Sequence, residues 1–483
     1  MSAPLPAAHA TPTPELLQAL KDAVGDKGWS DDRQDVAPHL VDERNLYYGV
    51  TPLLLRPATV DEVSACVRLC AEARVPIVPQ GGNTGLVGGA VPFEHGGEIL
   101  LCLSRMNRIR EVDTVNDSMT AEAGCILETV QTAARDAGRY FPLSLGAQGS
   151  CQIGGNIATN AGGCAVLRYG HMRELVLGIE AVLPNGRVYD GLKSLRKDNS
   201  GYDLKQLLIG SEGTLGIITA GVLKLFPPPV ERHTTFAGVA SPEAALDLFS
   251  RAREALGDAV TAFELMPRIA LDFVLAHIPG TRDPLAAPHP FYVLCEATAT
   301  RHDLALADAL NVLLEKVLEA GLINDATVAA GETQAQALWK LRESVSEAQK
   351  HEGGSIKHDI SVPIATLPGF IGEASWRVEK LIPGVRVVAF GHVGDGNIHF
   401  NLSQPKNAER EAFLSRWDEA SRLVHDTVVD MGGSISAEHG IGRLKRDELV
   451  RLADPLELDQ MHAIKRTLDP HNIMNPGKLV LPG

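Results

Sequence analysis

The chain has 483 residues, of which 45% are hydrophobic and 22% charged, and a formal net charge of −15. That balance belongs to a globular protein of roughly two to three domains. The acidic charge argues against a nucleic-acid surface, which needs concentrated Lys and Arg, and no apolar run approaches the ~18 residues of a transmembrane helix.

The first residues, MSAPLPAAHATPTP, lack a basic n-region and an apolar h-region, so no secretory signal is expected. Their Pro and Ala content predicts a short disordered arm. Seven scattered cysteines without a CxxC pair fit a reduced, cytoplasmic protein better than a disulfide framework. A helix is expected near Pro14 to Val24. In ATVDEVSACVRLC, Thr59 followed by Glu62 is a capping box, and Val60, Val63, Val67 and Cys70 keep helical spacing. The strand VPIVP follows, and a helix-then-strand unit belongs to a mixed α/β domain. Further strands are predicted in EILLCL, SMTAEAG, LGIEAVLPNGRVYD and TLGIITAGVLKLF. Pro227-Pro228-Pro229 then closes this region, because three prolines continue neither a ladder nor a helix.

Within that region the glycines cluster. PQGGNTGLVGGAVP carries Gly81, Gly82, Gly85, Gly88 and Gly89, and PLSLGAQGSCQIGGNIATNAGGC carries Gly146, Gly149, Gly154, Gly155, Gly162 and Gly163. Backbone without side chains exposes N–H groups, and successive N–H groups in turns make concave anion sites. Asn83, Thr84, Ser150, Asn156, Thr159 and Asn160 add donors and acceptors, so a pyrophosphate threaded between the two loops is the expected ligand. GSEGTLGIIT (210–219) is a third such element. A nicotinamide fingerprint is excluded: the triplets at Gly394/Gly396 and Gly440/Gly442 place His399 and Lys445 where G-x-G-x-x-G needs its third glycine. No GxxxxGK[ST] loop occurs either.

Beyond residue 230 the texture changes. SPEAALDLFSRAREAL, RHDLALADALNVLLEKVLEAG and TQAQALWKLRESVSEAQK read as amphipathic helices, with FYVLCEAT and VRVVAFG as strands among them. This predicts an α+β domain, one antiparallel sheet with helices on one side. On the helix LWKLRESVSEAQK, Arg342 and Ser346 stand at i and i+4 and should share a face. Lys357 lies on the strand leading back, and the three together suit a carboxylate. In VRVVAFGHVGDGNIHFNLS, Asp395-Gly396 between two β-rich runs predicts a type I′ hairpin. A two-residue loop would set His392 and His399 directly opposite each other, with Cβ atoms ~5 Å apart and Asn401 on the same face. Two such imidazoles are a metal clamp, and Glu438 in SAEHGIGR supplies a third ligand, leaving a coordination position open. His439, beside Glu438, is the candidate general base. The last stretch, PLELDQMHAIKRTLDPHNIMNPGKLV, reads as a helix, a turn and a tail.

These motifs carry a resemblance over nearly the whole chain past residue 40. PQGGNTGLVGGAVP, QIGGNIATNAGGCAVLRYG and LLIGSEGTLGIIT resemble the FAD-binding domain of the vanillyl-alcohol oxidase / p-cresol methylhydroxylase flavoproteins. FGHVGDGNIHFNLS, SAEHGIGR and DPHNIMNPGKL are similar to that family's D-2-hydroxyacid dehydrogenase branch, which includes D-2-hydroxyglutarate and D-lactate dehydrogenases and the glycolate oxidase flavin subunit. The resemblance implies an N-terminal arm and helix (1–45), a two-subdomain FAD-binding domain (46–228), a substrate domain (229–440) and a C-terminal segment returning to the FAD domain (441–483). It assigns FAD contacts to Pro79, Gly81, Gly82, Asn83, Thr84, Gly85 and Leu86, and to Gly146, Ser150, Gly154, Gly155, Asn156, Thr159, Asn160, Gly162 and Gly163. Glu212, Gly213, Gly216, Ile217 and Asn475 complete that set. It further implies Zn²⁺ or a similar divalent ion on His392, His399 and Glu438. Arg342, Ser346 and Lys357 match positions that hold a distal carboxylate in hydroxyglutarate-type members, and Asn401 orients the carboxylate or a ligand. Residues 81–92 hold neither His nor Cys, so non-covalent FAD is expected. The implied reaction oxidises a D-2-hydroxy acid, D-2-hydroxyglutarate before D-lactate, and passes electrons to an electron-transfer flavoprotein, a quinone or a similar acceptor; relatives are often homodimers. A metal-dependent hydrolase whose glycine loops bind a nucleotide is the alternative from another class. A flavin subunit that works only inside a larger electron-transfer complex is a third.

Overall fold

Ile77–Gln80 and Ile99–Cys102 are short apolar strands that pair in parallel, as strands buried on both faces do. Leu54–Leu55 runs parallel to Ile99–Cys102, and Trp29–Ser30 closes the sheet antiparallel. Helices Pro14–Val24 and Val60–Ala73 cover it, burying Leu20, Val63, Val67 and Cys70 against Leu55, Ile77 and Leu101. Half of the capping box forms as read: the Thr59 hydroxyl accepts from Glu62 N, while the Glu62 carboxylate accepts one residue before the cap, from Ala58 N instead of Thr59 N. The computed structural model describes residues 9–302 and 305–480. The arm expected at the N-terminus therefore lies largely outside the described residues.

The chain divides into two compact units, residues 1–163, 170–228 and 438–483 in one, and residues 164–169 and 229–437 in the other. The first holds the parallel-rich sheet and a second, five-stranded antiparallel sheet, in the order Ile109–Asp113, Ser118–Glu122, Ile217–Lys224, Val176–Val182, Val188–Gly191. Its last segment pairs with the first sheet. Met474 forms a parallel bridge with Ile77, with Ile77 N donating to Ile473 O and Asn475 N donating to Ile77 O, both at 2.8 Å.

The second unit carries two sheets where one was predicted. Val260–Pro267, Phe291–Ala299, Glu231–Val239 and Ile323–Val328 form an antiparallel sheet in that order. Asn397–Ser403 is the centre of the other, flanked by Arg386–Phe390 on one side and by Ser355–Ile356 and Asp359–Ser361 on the other. Helices Pro242–Leu256, Leu306–Glu319, Leu367–Leu381 and Trp417–Asp430 contribute to one core with both sheets. The predicted helix from Arg301 is observed as Leu306–Glu319; residues 303 and 304 of that prediction lie outside the described residues.

The hairpin differs from its prediction. His399 pairs with Phe390, not with His392, and residues 391–396 form a longer connection. Positive φ falls on Gly391 and Gly396, while Asp395 is not left-handed, so the type I′ turn does not form. The long helix predicted over 333–350 also differs: it stops at Glu343 and restarts at Val345. Arg342 is buried and Ser346 exposed, on either side of that break. Val345, Ala348 and Gln349 turn inward instead, and that burial fixes the break.

Candidate active site

In the first unit the glycine-rich segments are drawn together by polar side chains. Asn475, buried and at φ 42°, donates through Nδ2 to Gly89 O at 2.9 Å and to Glu212 O at 2.8 Å. Glu212 in turn accepts from Ile441 N and Gly442 N, both at 2.8 Å. Burial pushes its carboxyl pKa up, against those two N–H groups. Lys465 adds a second tie, with Nζ donating to Thr214 O at 2.7 Å, Met474 O at 2.8 Å and the Asp469 carboxylate at 2.6 Å. Gly213, at φ 74°, lies against Pro79, whose ring leaves no room for a Cβ there.

Several residues read as cofactor contacts make these scaffolding bonds. Asn83 Nδ2 donates to Val41 O at 2.8 Å, Asn160 Oδ1 accepts from Arg173 N at 2.9 Å, and the Thr159 hydroxyl donates to Gly155 O at 2.9 Å. The Ser150 hydroxyl bonds locally to Ala147 O, and the Ser150 carbonyl fills the space beside Gly82. Gly154 is forced by Ala123, and Gly163 by the Ser144 carbonyl. A Cβ on Gly162 would stand 2.7 Å from a Glu438 oxygen and 2.9 Å from the His171 ring. Thr84, Leu86, Gly216 and Ile217 lie in or beside the same loops, with Ile217 opening the strand Ile217–Lys224.

Three glycines have no such reason. A Cβ on Gly85, Gly146 or Gly155 meets no protein atom within 4 Å. Nearby, Asn156 Oδ1, Gln152 Oε1 and Asn475 Oδ1 are buried without a hydrogen-bond partner. Glycine where the protein itself would accept a side chain, beside polar atoms awaiting partners, fits a bound group of extended polar character such as FAD. Gln152 escaped the sequence reading, although it stands directly before the helix Ile153–Ala158. Cys151 is buried and its thiol pKa is raised by burial, which suppresses thiolate chemistry.

The second unit gathers the titratable groups. His392 and His399, though not ladder partners, still come together: their ring centroids lie 5.7 Å apart at 73°, with ring nitrogens within 4.8 Å. His392 Nδ1 is 2.6 Å from Glu264 Oε1, and Arg342 Nε is 2.6 Å from Glu264 Oε2. Burial alone would raise the Glu264 carboxyl, but the Arg342 guanidinium and the His392 ring beside it bring its pKa down to about 2. Cys164 offers its sulfur within 4.8 Å of both Glu264 and His392. His399 Nδ1 lies 3.8 Å from the Asp359 carboxylate. Asn401 shares the His399 face by strand alternation and donates to Gln349 Oε1 at 2.9 Å; Gln349 donates onward to the Ser403 hydroxyl at 2.8 Å. Lys357 stands between the strands Ser355–Ile356 and Asp359–Ser361. Its neighbour His358 is buried, 2.8 Å from Phe400 O and 3.2 Å from the Ser421 hydroxyl. Glu438 and His439 directly follow Ala437, the last residue of this unit.

Glu264 escaped the sequence reading. The signal was there: VTAFELMP is a strand buried at every position with a single acid in it. Burying that acid is costly unless charged partners answer it.

Residues 51–191 match an FAD binding domain, and residues 228–479 match the C-terminal domain of FAD linked oxidases. A mitochondrial D-2-hydroxyglutarate dehydrogenase of Bos taurus is 41% identical over 93% of this chain and 80% of its own length. A Schizosaccharomyces pombe protein provisionally named a mitochondrial D-lactate dehydrogenase is 38% identical over 96% of this chain and 90% of its own. The structure of p-cresol methylhydroxylase with substrate bound superposes with a TM-score of 0.78 at 18% identity, covering 99% of both chains. That likeness bears out the expected p-cresol methylhydroxylase-type fold.

Proposed function

Because the chain belongs to the FAD linked oxidase family and is an oxidoreductase of its D-2-hydroxyacid dehydrogenase branch, we propose that it oxidises D-2-hydroxyglutarate to 2-oxoglutarate. The observation that carries this reading is the 41% identity, over 93% of the chain, to a relative named for that reaction. FAD, when bound, supplies the two-electron acceptor that no side chain provides. Its contacts are the open glycines 85, 146 and 155 and the unpartnered oxygens of Asn156, Gln152 and Asn475, and it is held without a covalent bond, since the 81–92 loop offers no His or Cys.

His392, His399 and Glu438 are the proposed ligands of a divalent ion such as Zn²⁺, which would make a hydroxyl more acidic by its charge. The neighbouring imidazoles of His392 and His399 support that assignment. His439 takes the hydroxyl proton at a ring nitrogen, Asn401 orients the C1 carboxylate, and Arg342 and Lys357 answer the distal one. Ser346, exposed on a separate helix from Arg342, has no part in this reading. Electrons leave to an electron-transfer flavoprotein or a quinone. A reducing, cytoplasmic setting is the proposed location. Among the described residues no helix is long and apolar enough to cross a membrane.

Two observations favour a second reading, D-lactate as substrate: the relative provisionally named for it, and the fact that Arg342 already faces a carboxylate, that of Glu264. An anaerobic substrate panel on the purified flavoprotein decides between them. D-2-hydroxyglutarate should bleach the flavin absorbance and D-lactate should not; equal bleaching by both removes the substrate assignment. His392→Ala should abolish bleaching while FAD stays bound, and unchanged rates would remove the metal assignment.

A further inference from the structure

Glu264 is the single charged side chain of the strand Val260–Pro267, and it is 0% exposed. Its two oxygens are divided between two partners 2.6 Å away, Oε1 facing His392 Nδ1 and Oε2 facing Arg342 Nε. We propose that Glu264 is a positioning residue that locks His392 in its metal-ligating tautomer and, with its other oxygen, fixes the guanidinium of Arg342. The inference rests on the reading above, in which His392 holds a divalent ion and Arg342 answers a substrate carboxylate.

The chemistry follows from what a carboxylate lacks. An ionised carboxylate accepts hydrogen bonds and donates none, so the ring nitrogen facing it must carry the proton. Nδ1–H toward Glu264 leaves Nε2 with its lone pair, the nitrogen a metal ion takes. The same acid holds Arg342 by its Nε edge, and the guanidinium lies over the Phe390 ring at 4.9 Å from its centroid. Phe390 also flanks His399, with ring centroids 5.2 Å apart. One buried acid and one buried ring therefore set the orientation of both imidazoles and of the cation. A hydrophobic residue would fill the strand position at no desolvation cost, so packing alone gives no reason for the acid.

Glu264→Gln tests this, because an amide has one accepting oxygen and one donating nitrogen. It cannot accept from both partners, and its NH₂ facing Nδ1 would reverse the His392 tautomer. Zn²⁺ affinity, measured by chelator competition on the FAD-loaded protein, should weaken 10- to 100-fold, the range found when such supporting partners are lost. The variant removes the counter-charge from a buried guanidinium, so Glu264→Gln/Arg342→Met serves as the second variant, with flavin absorbance reporting the fold. If Glu264 only balances Arg342, the double variant regains wild-type Zn²⁺ affinity, and the inference is overturned. If Glu264 positions His392, the double variant stays as weak as Glu264→Gln, while Arg342→Met alone binds Zn²⁺ as wild type but shows a raised KM. Wild-type protein that takes up no stoichiometric metal would remove the metal reading itself and this inference with it. Wild-type uptake with unchanged variants would remove the inference alone.

Discussion

Gly155→Ala should move apoprotein stability and FAD affinity in opposite directions. Gly155 lies inside the helix Ile153–Ala158, where glycine costs up to ~1 kcal/mol relative to alanine. An added Cβ meets no protein atom within 4 Å, so the apoprotein should gain that amount, roughly 2 °C in melting temperature for a unit of this size. The same methyl would occupy the space assigned to the cofactor. Overpacking typically costs 1–3 kcal/mol, which converts to about 5- to 150-fold weaker FAD binding. Gly154→Ala is the control. Its Cβ would lie 2.6 Å from Ala123 Cβ, so it should destabilise the apoprotein as well. Thermal melts of apoprotein and fluorescence titration with FAD give both numbers. A Gly155→Ala protein with unaltered FAD affinity would refute the reasoning that open glycines mark the cofactor's path.

The tail offers two further tests. Lys478 is 0% exposed, 3.7 Å from a Glu98 oxygen and 4.2 Å from the Phe93 ring centroid, and burial lowers its amine pKa to about 8. The unfolded value is near 10.4, so folding favours the neutral amine: the penalty is full below pH 8 and disappears as pH rises to about 10.5. Wild-type stability relative to Lys478→Met should therefore rise by about 3 kcal/mol between pH 7.5 and 10.5, read from urea midpoints; parallel pH curves would contradict it. Lys465→Met should cost about 3–5 kcal/mol, because it removes the counter-charge of the buried Asp469 carboxylate and a donor to two buried carbonyls. Hydrogen exchange should quicken at residues 210–216 and 473–475, and protection equal to wild type would show that this lysine does not tie the loop.

What the sequence made legible and what it hid separate by range of interaction. Val60–Ala73 and Pro242–Leu256 were readable because their caps, Thr59 and Ser241, act within three residues. The strands Ile99–Cys102 and Ile217–Lys224 declared themselves by apolar β-rich composition. The break at Ser344 has no Pro or Gly to announce it; it comes from Arg342 reaching an acid 78 residues away while Gln349 turns to Ser403. The two-residue turn failed because Asp395-Gly396 is part of a longer glycine-containing connection, yet the histidines it was meant to join still meet. His392 is bonded to Glu264, 128 residues before it, so its placement belongs to the packed strands as well as to the hairpin. The glycine loops follow the same logic. Their composition revealed a ligand cradle, but the division of labour within it did not show. Asn475 fastens Gly89 and Glu212 across 386 and 263 residues, and Asn83 and Asn160 are spent on scaffold bonds, while glycines 85, 146 and 155 are left open. A residue type announces that a loop can bind; which of its atoms remain available is decided only after distant segments have taken theirs.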